Sequence, residues 1–273
     1  NVFYPNFQIC VAIYMIHKLF PYLCKNYVSM EYKNRIADKL LRDKLEAMGA
    51  VLIEGPKACG KTTTAEQQAK SIIYMDDPVK QEQYKQMAQT NIRFLLEGET
   101  PRLIDEWQHV PQFWDAIRFE VDHRDDDGQF MLTGSAVPAD MKEIHHTGTG
   151  RYGWLTMRPM SLWESGESTG EVSLSDLFLT PDRIGALNKL TLPMLAFAAC
   201  RGGWPKSLQK KTEKAALSQV TEYYKAITNS DISRVDNVKR DEERAKRIMR
   251  SYARHQGSQA SIATILADIS TND

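Results

Sequence analysis

The octapeptide at positions 55–62, Gly-Pro-Lys-Ala-Cys-Gly-Lys-Thr, constrains the fold more than any other feature of this chain. It matches the pattern Gly-x-x-x-x-Gly-Lys-Ser/Thr, in which glycines let the backbone fold around a phosphate and aim successive N–H groups at it. An apolar run precedes it at residues 50–54, and a helical segment rich in Thr, Ala and Gln follows at residues 61–70. Because the pattern requires a strand before it and a helix after it, we predict a phosphate-binding loop at the positive end of that helix.

The residues of this loop have separate predicted roles. We expect Lys61 to reach the β- and γ-phosphates of a nucleotide and the Thr62 hydroxyl to bind Mg²⁺. We do not expect Cys59 to be a nucleophile, because no His or Asp neighbour activates it. The full predicted nucleotide-binding set in this region is Gly55, Pro56, Lys57, Ala58, Cys59, Gly60, Lys61, Thr62 and Thr63.

A second apolar run, Arg-Leu-Ile-Asp-Glu at residues 102–106, ends in two acidic residues. The carboxyl ends of strands in open α/β sheets face the crevice where ligands bind. We therefore expect Asp105 to hold Mg²⁺ through water, and Glu106 to orient or deprotonate the water that attacks the γ-phosphate. A solvated turn is the alternative. The pairing with the loop indicates hydrolysis of a nucleotide, and ATP is the default because no Asn-Lys-x-Asp guanine signature occurs.

Short apolar runs alternate with helical patterns through the first part of the chain. This alternation predicts an α/β fold of three layers, with a mostly parallel sheet between helices. After Met160 the strand signals stop, residues 161–169 are predicted as a loop, and the remainder is mostly helical with a break at residues 202–205. The predicted strands are residues 50–54, 71–75, 102–106, 129–133 and 152–157.

The pattern divides the chain into an atypical N-terminal extension (1–29), a core (30–160), a helical lid (161–230) and the start of a further domain (231–273). The apolar run of the extension is too short for a membrane span, which needs about 20 apolar residues. We therefore expect no stable membrane insertion and interpret the extension as dispensable, with a membrane-associating segment as the alternative. Four cysteines without a Cys-x-x-Cys pair favour a reducing, cytoplasmic location.

Three further places are candidates for contact with the nucleotide. Thr133 ends the fourth predicted strand and Ser135 lies just after it, at the place where the γ-phosphate is expected. A turn of small residues is the alternative for this position. Arg151 completes a predicted catalytic set with Lys61 and Glu106, because an arginine there can stabilise transition-state charge in its own chain or on a neighbour's nucleotide. A structural cation is the alternative for Arg151. In the lid, the break between helices is a candidate for backbone contact with the nucleotide or a plain turn, and its candidate residues are Gly203 and Pro205.

Charge gives a weaker signal about partners. The 35 basic and 35 acidic residues cancel, so the whole chain shows no electrostatic preference for nucleic acid or membrane. Residues 205–254 carry thirteen Lys and Arg against seven Asp and Glu, a net charge of +6. This local excess favours a nucleic-acid partner, and ion pairs on solvated helix faces are the alternative explanation.

Several stretches together resemble bacterial and archaeal predicted ATPases of the AAA superfamily that carry a C-terminal domain of uncharacterised function. These stretches are VLIEGPKACGKTTTA, RLIDEWQHVPQFWDAIRFEVD, GQFMLTGSA, GRYGWLTMRPMSLWES, RGGWPKSL and residues 231–270. The resemblance implies an additional-strand P-loop NTPase fold with a helical lid, and a C-terminal domain for which a winged-helix-like fold is one option. It also implies that this chain ends within that domain, so we expect a shortened form of it.

The same resemblance assigns roles to motifs. It makes residues 55–62 the Walker A motif and Asp105 with Glu106 the Walker B motif. Thr133 and Ser135 fall in the sensor segment. A glycine–proline motif before the helical domain contacts the nucleotide in related signalling ATPases, which implies the same contact for residues 203–205.

Two functions of different classes follow from these features. We expect an Mg²⁺-dependent ATPase that couples hydrolysis to movement of the lid and the C-terminal domain. The alternative is a nucleotide-gated switch or scaffold with slow turnover, whose ATP-bound form recruits a partner protein, nucleic acid or another copy of the chain. A small-molecule kinase is disfavoured, because no basic acceptor-binding lid follows the fourth predicted strand.

Overall fold

Five short strands form the centre of the fold. The computed structural model describes residues 32–124, 126–134, 148–232 and 241–270, and those from residue 35 onward belong to one compact unit. The strands lie in the order β2-β3-β4-β1-β5, and every neighbouring pair is parallel. The prediction of an α/β fold with a parallel sheet is confirmed. The strands are β1 (Ala50–Glu54), β2 (Ser71–Tyr74), β3 (Arg102–Asp105), β4 (Phe130–Gly134) and β5 (Tyr152–Thr156).

Both faces of this sheet are buried, as expected for parallel strands made almost wholly of apolar residues. One face packs against α1 (Ile36–Leu45) and α2 (Lys61–Glu66), and the other packs against α3 (Gln81–Asn91), α4 (Arg93–Leu96) and α5 (Phe113–His123). The first cluster includes Leu41, Val51, Ile53, Ala65, Leu103 and Met131. The second includes Leu52, Leu96, Ile104, Phe113, Ile117 and Leu132. Alternate residues of each strand serve opposite clusters, which produces the predicted three layers.

After β5 the described chain contains no further strand and is mostly helical, as predicted. The break at residues 202–205 separates two of its helices. A short 3-10 helix, Trp107–His109, follows β3, and a second one, Pro181–Arg183, lies among the helices after β5. The later helices are α6 (Leu162–Ser165), α7 (Leu174–Leu179), α8 (Leu192–Arg201), α9 (Pro205–Leu208), α10 (Glu213–Ala226), a π-helical turn (Ile227–Asp231), α11 (Glu242–Arg254) and α12 (Ile262–Ser270).

The prediction of a loop over residues 161–169 is wrong for its first half, because α6 begins at Leu162. The cause is a capping box, in which two residues satisfy each other's backbone groups at a helix start. The Glu164 N–H donates to the Ser161 hydroxyl at 3.2 Å, and the Ser161 N–H donates to the Glu164 carboxylate at 2.7 Å. The pattern Ser-x-x-Glu at these positions is a recognisable start signal for a helix.

The sheet brings the ends of three strands to one edge. The phosphate loop follows β1, Asp105 ends β3, and Thr133 of β4 lies opposite Asp105 in the strand register. The opposite edge holds the starts of the same strands and the residue that precedes β5, Arg151. Function should therefore concentrate at the carboxyl edge, as it does in open α/β sheets.

Among the described helices, none is long and apolar enough to cross a membrane. The predicted region boundaries after residues 29, 160 and 230 stay predictions. The N-terminal extension, residues 1–29, lies outside the described residues.

The packing of β4 yields a prediction about stability. Leu132 is fully buried between β1 and β3, so the Leu132→Ala variant loses apolar contacts and leaves a cavity. We expect a loss of about 2–5 kcal/mol in the free energy of unfolding, measured by denaturant titration. Leu179→Ala is the matched control, because Leu179 is 76% exposed, and its effect should stay within about 0.5 kcal/mol. Equal effects of the two substitutions would contradict this packing.

The capping box yields a prediction about acid stability. Burial alone would raise the pKa of Glu164, but hydrogen bonds from Ser161, Ile36 and Arg35 and the nearby positive charge lower this pKa below its ordinary value of 4.5. A carboxyl group with a lowered folded-state pKa stabilises the fold above its unfolded pKa and loses this effect as the pH falls through the folded one. The stability difference between wild type and Glu164→Gln should therefore narrow below about pH 4.5. A difference that is independent of pH would contradict the lowered pKa.

Candidate functional site

The loop of residues 55–60 has the backbone shape that its glycines predict. Gly55 and Gly60 have φ angles of 153° and 105°, in the region that glycine tolerates best. A Cβ atom on Gly55 would lie 2.2 Å from the carbonyl oxygen of Met157, so no other residue fits there. Ala58 also has a positive φ, 61°, which costs an alanine about 1–2 kcal/mol. The surrounding contacts must offset that strain.

The side chain of Lys61 lies across this loop. It is buried, and its Nζ donates to the carbonyl oxygens of Gly55 at 2.9 Å and Pro56 at 3.2 Å. A cation fixed over a loop at the start of α2 suits an anion with several oxygens. The loop therefore fits a phosphate chain, and contact of Lys61 with the nucleotide stays a prediction.

The structure brings Thr62, Asp105 and Thr133 together. Asp105 is 5% exposed, and its Oδ1 accepts from the Thr62 hydroxyl at 2.7 Å and from the Thr133 hydroxyl. Hydroxyl and carboxylate oxygens suit Mg²⁺, which is bound in such sites by one or two protein ligands together with phosphate oxygens and water. The described part of the chain contains no cluster of three or more His, Cys, Asp or Glu side chains suited to a metal. The two predicted metal ligands fit magnesium held jointly with a nucleotide.

Glu106 stands at the same edge in an unusual conformation. Its φ of 54° and ψ of 44° are left-handed, which is rare for a non-glycine residue and frequent at functional sites. Its Oε2 accepts from the amide Nε2 of Gln108, a residue that sequence reasoning missed. The Gln108 Oε1 is buried without a hydrogen-bond partner among the described residues, and it lies against Gly134. The pair thus points into the region that adjoins Asp105 and β4.

The break between α8 and α9, in the predicted lid, lies beside the loop. Gly203 packs against the backbone of Met160, whose N–H donates to the Gly203 carbonyl at 2.7 Å. A Cβ atom on Gly203 would lie 2.0 Å from the Met160 oxygen, so glycine is required for packing. Pro205 adjoins the loop, because a Cβ on Gly60 would lie 3.6 Å from its ring. Nucleotide contact by either residue stays a prediction.

Arg151 is not beside the loop of its own chain. Its carbonyl oxygen accepts from the N–H of Ala50, the first residue of β1, whereas the loop follows the last residue of that strand. Its Nε donates to Asp122 at 2.7 Å and lowers the pKa of that carboxyl group. The proposed action of Arg151 on the nucleotide of the same chain is therefore wrong, and the structure places a cation of an ion pair there. Action on a neighbour's nucleotide stays a prediction.

Ser135 and Cys59 are two further residues of the predicted nucleotide-binding set. Ser135 lies outside the described residues. Cys59 is fully buried in the loop, and burial raises the pKa of its thiol, which keeps it neutral. The thiolate is the nucleophilic form of cysteine, so this environment agrees with the expectation that Cys59 is not a nucleophile.

Sequence reasoning also missed a buried arginine that binds the loop from outside. Arg35, just before α1, donates from Nη1 to the Cys59 carbonyl at 2.9 Å and from Nε to Glu164 at 3.0 Å. A single Arg before a helical pattern gives no signal of such a role. The one available signal concerns its partner Glu164, because the Ser-x-x-Glu pattern of residues 161–164 is typical of a helix start.

Comparison with protein families gives two matches. The model of the AAA domain matches residues 48–165, which contain the loop, the two acids and all five strands. The model of a domain of unknown function matches residues 193–273. A search of curated proteins found no significant match to this chain.

Comparison with solved structures finds remote likenesses. The Walker-type ATPase PABY2304 of Pyrococcus abyssi is 12% identical, with 89% of each chain covered and a TM-score of 0.45. PCH-2 of C. elegans is 15% identical, with 68% of this chain and 66% of that chain covered and a TM-score of 0.36. Drosophila ORC bound to DNA is 16% identical, with 90% and 75% covered and a TM-score of 0.29.

The family match and the site agree on the same part of the chain. The matched region holds a glycine loop that fits a phosphate chain, a buried carboxylate with two hydroxyl donors, and a parallel sheet in the order β2-β3-β4-β1-β5. Over residues 48–165 this chain resembles the P-loop ATPases of the AAA superfamily, and a domain of unknown function follows.

Proposed function

We propose that this chain binds ATP together with Mg²⁺ at the loop of residues 55–62 and hydrolyses it. The observation that supports the proposal is the meeting of Thr62 and Thr133 on the buried carboxylate of Asp105, next to the loop that Lys61 spans. Three separate elements, α2, β3 and β4, supply these side chains. A buried charge with this many donors at the carboxyl edge of the sheet suits a site for phosphate and magnesium.

Each residue has a chemical task in this proposal. The N–H groups of the loop and the Lys61 ammonium would bind the β- and γ-phosphates, while Thr62 and, through water, Asp105 would hold the magnesium ion. The bound ion would neutralise charge on the phosphate oxygens. Glu106 accepts a proton from water as the water oxygen joins the γ-phosphorus and the bond to the β,γ-bridging oxygen breaks. ADP and inorganic phosphate are the products.

The second candidate function is a nucleotide-gated switch with little turnover. The contact between Gln108 and Glu106 favours it, because a carboxylate held by an amide is less free to take a proton from water. The position of Arg151 favours it as well, since this arginine pairs with Asp122 at the other edge of the sheet. In this reading, hydrolysis awaits a rearrangement of Glu106 or an arginine from a partner.

The basic residues of the C-terminal region bear on partners other than the nucleotide. In the described part of residues 205–254, some of the basic side chains form ion pairs: Lys246 with Glu243, Arg254 with Asp268, and Lys225 with Glu222. Such pairs explain part of the excess as solvated helix faces. We propose self-association or an unidentified protein partner, with nucleic acid as the alternative, and the C-terminal region as the segment that would respond to the nucleotide.

The central prediction compares wild type with Lys61→Ala and Glu106→Gln. Lys61→Ala removes the cation over the loop and should abolish measurable binding of Mg²⁺-ATP in calorimetry. Glu106→Gln keeps the shape of the side chain but not its basicity, so binding should persist while phosphate release falls about 10²–10⁴-fold. Glu97→Gln, on an exposed residue at the opposite edge, is the matched control. Wild-type turnover no faster than that of Glu106→Gln would favour the switch.

A second prediction concerns Gln108. If Gln108 positions Glu106 for hydrolysis, Gln108→Ala should lower kcat for phosphate release about 3–10-fold and leave the Kd for ATP unchanged, as expected for the loss of a hydrogen bond worth about 1 kcal/mol. Gln83→Ala, on the exposed side of α3, serves as the control. A rise in kcat would instead mean that Gln108 restrains Glu106, as the switch requires.

A further inference from the structure

Two side chains from outside the phosphate loop hold its carbonyl groups. The Cys59 carbonyl accepts from Nη1 of Arg35 at 2.9 Å, and the Lys57 carbonyl accepts from the hydroxyl of Tyr223 at 2.8 Å. Arg35 precedes α1, and Tyr223 belongs to α10 of the lid. Consecutive N–H and C=O groups of a nest point in opposite directions, so a carbonyl held outward helps to keep the neighbouring N–H groups turned inward.

Arg35 connects three segments of the protein through its side chain. Its side chain is 5% exposed, and its three nitrogens donate to three separate segments. Nη1 binds the loop, Nη2 binds the carbonyl of Arg158 after β5 at 2.8 Å, and Nε binds the carboxylate of Glu164 at 3.0 Å. A planar guanidinium spreads its donors over three nitrogens in a rigid fork and so reaches three separated acceptors, whereas an ammonium group carries all of its donors on one atom.

Glu164, the partner of Arg35, accepts hydrogen bonds on both of its carboxylate oxygens. Its Oε1 accepts from Arg35 and from the N–H of Ile36 at 2.8 Å, and its Oε2 accepts from the N–H and hydroxyl of Ser161 at 2.7 and 3.0 Å. The charge is thus compensated where both side chains are buried, the condition under which a buried ion pair is tolerated. The pair of Arg35 and Glu164 thus connects α1, the loop and α6.

Tyr223 reaches the loop from the lid in a different way. Its ring packs against Trp204 with centroids 4.4 Å apart, and Trp204 packs in turn on the buried cluster beneath the loop. Burial raises the pKa of the Tyr223 hydroxyl to about 12, so it remains a donor at neutral pH. Lys57 also lies 3.7 Å from Asp231, at the end of the same helical segment. The helical segment from α10 to Asp231 therefore contacts the loop through the Tyr223 hydroxyl and through the ion pair of Lys57 with Asp231.

We propose that Arg35 and Tyr223 are positioning residues that keep the phosphate loop in its anion-binding shape, and that the bond from Tyr223 lets the lid sense whether the loop is occupied. The inference rests on the proposed nucleotide site and identifies its supports. Arg35 ties the loop to the rigid core, so its contribution is constant. Tyr223 ties the loop to a helix of the lid, so a shift of the Lys57 carbonyl on phosphate binding is passed to α10.

The test measures the affinity of Mg²⁺-ATP and of inorganic tripolyphosphate by calorimetry, for wild type, Arg35→Lys and Tyr223→Phe. Both variants should bind the two ligands more weakly with unchanged stoichiometry: about 3–10-fold for Tyr223→Phe, which loses one hydrogen bond, and about 10–100-fold for Arg35→Lys, which loses several. The fold-change should be equal for both ligands, because the lost interactions concern only the phosphate chain. A destabilised fold would instead reduce the number of active sites.

Matched controls separate positioning from stability. Arg102→Lys alters another buried arginine, which donates to Leu95 and Ser71 at the amino edge, and it should lower the melting temperature without changing affinity. Tyr252→Phe removes an exposed hydroxyl from α11 and should change neither. Hydrogen exchange adds a readout of sensing: ATP should protect amides of α10 in wild type and Tyr252→Phe, and much less in Tyr223→Phe.

The outcomes are distinct. If wild type binds neither ATP nor tripolyphosphate, the proposed nucleotide site is wrong and this inference goes with it. If wild type binds ATP and both variants bind it with wild-type affinity, the site stands and the positioning role is wrong. If Arg35→Lys fails to fold, Tyr223→Phe decides, because it keeps the ring that packs on Trp204. ATP-dependent protection of α10 that survives in Tyr223→Phe overturns the sensing role.

Discussion

The buried carboxylate of Asp105 is the constraint on which the site depends. A charge that is 5% exposed costs several kcal/mol unless donors surround it. Its donors are hydroxyl groups of Thr62 in α2 and Thr133 in β4, so a helix and a neighbouring strand must both stand in register with β3. A slip of one residue in β4 would turn Thr133 to the other face of the sheet. The need to satisfy one carboxylate therefore specifies the alignment of three elements.

The chemistry of the site separates binding from turnover. Binding groups are fixed by the core, since Lys61 lies on the loop and the two threonines are tied to Asp105. The group proposed for proton transfer, Glu106, instead occupies a left-handed backbone position and is held by Gln108. Backbone strain of this kind costs about 1–3 kcal/mol and persists only where the surroundings enforce it. The fold thus ties the proposed binding groups to the core and places the carboxylate that is proposed for proton transfer on a strained turn.

Local patterns predicted the parts of the molecule that local physics determines. Five apolar runs became five strands, and the glycines at positions 55 and 60 adopted the positive φ angles that the loop motif requires. The meeting of Thr62 with Asp105 followed from parallel strands ending at one edge. The prediction that Arg151 acts at the loop of its own chain was wrong. Arg151 precedes β5 and so lies at the amino edge of the parallel sheet, whereas the loop follows the carboxyl end of β1. The pattern Ser-x-x-Glu at residues 161–164 is a local signal for a helix start, so the first half of the predicted loop was also predictable as a helix.

Long-range contacts were beyond sequence reasoning for a physical reason. Arg35 and Tyr223 have no periodicity or motif, and their partners lie in other segments that only the tertiary fold brings near. A buried arginine is exceptional among charged residues, which are seldom fully buried unless paired. Its partner Glu164 looked like one acid of a polar loop. Gln108 was missed for the same reason, since its role depends on the backbone turn at Glu106 and on the absence of a side chain at Gly134.

The contact between Tyr223 and Lys57 also has a consequence for the order in which the protein is made. The two residues are 166 positions apart in the chain, and Arg35 and Glu164 are 129 apart. A ribosome releases the amino-terminal part first, and domains form in that direction during synthesis. The glycine motif therefore emerges early, but its last supports arrive only when α10 has been translated. A nascent chain carries the whole motif for a long interval before it carries the finished loop.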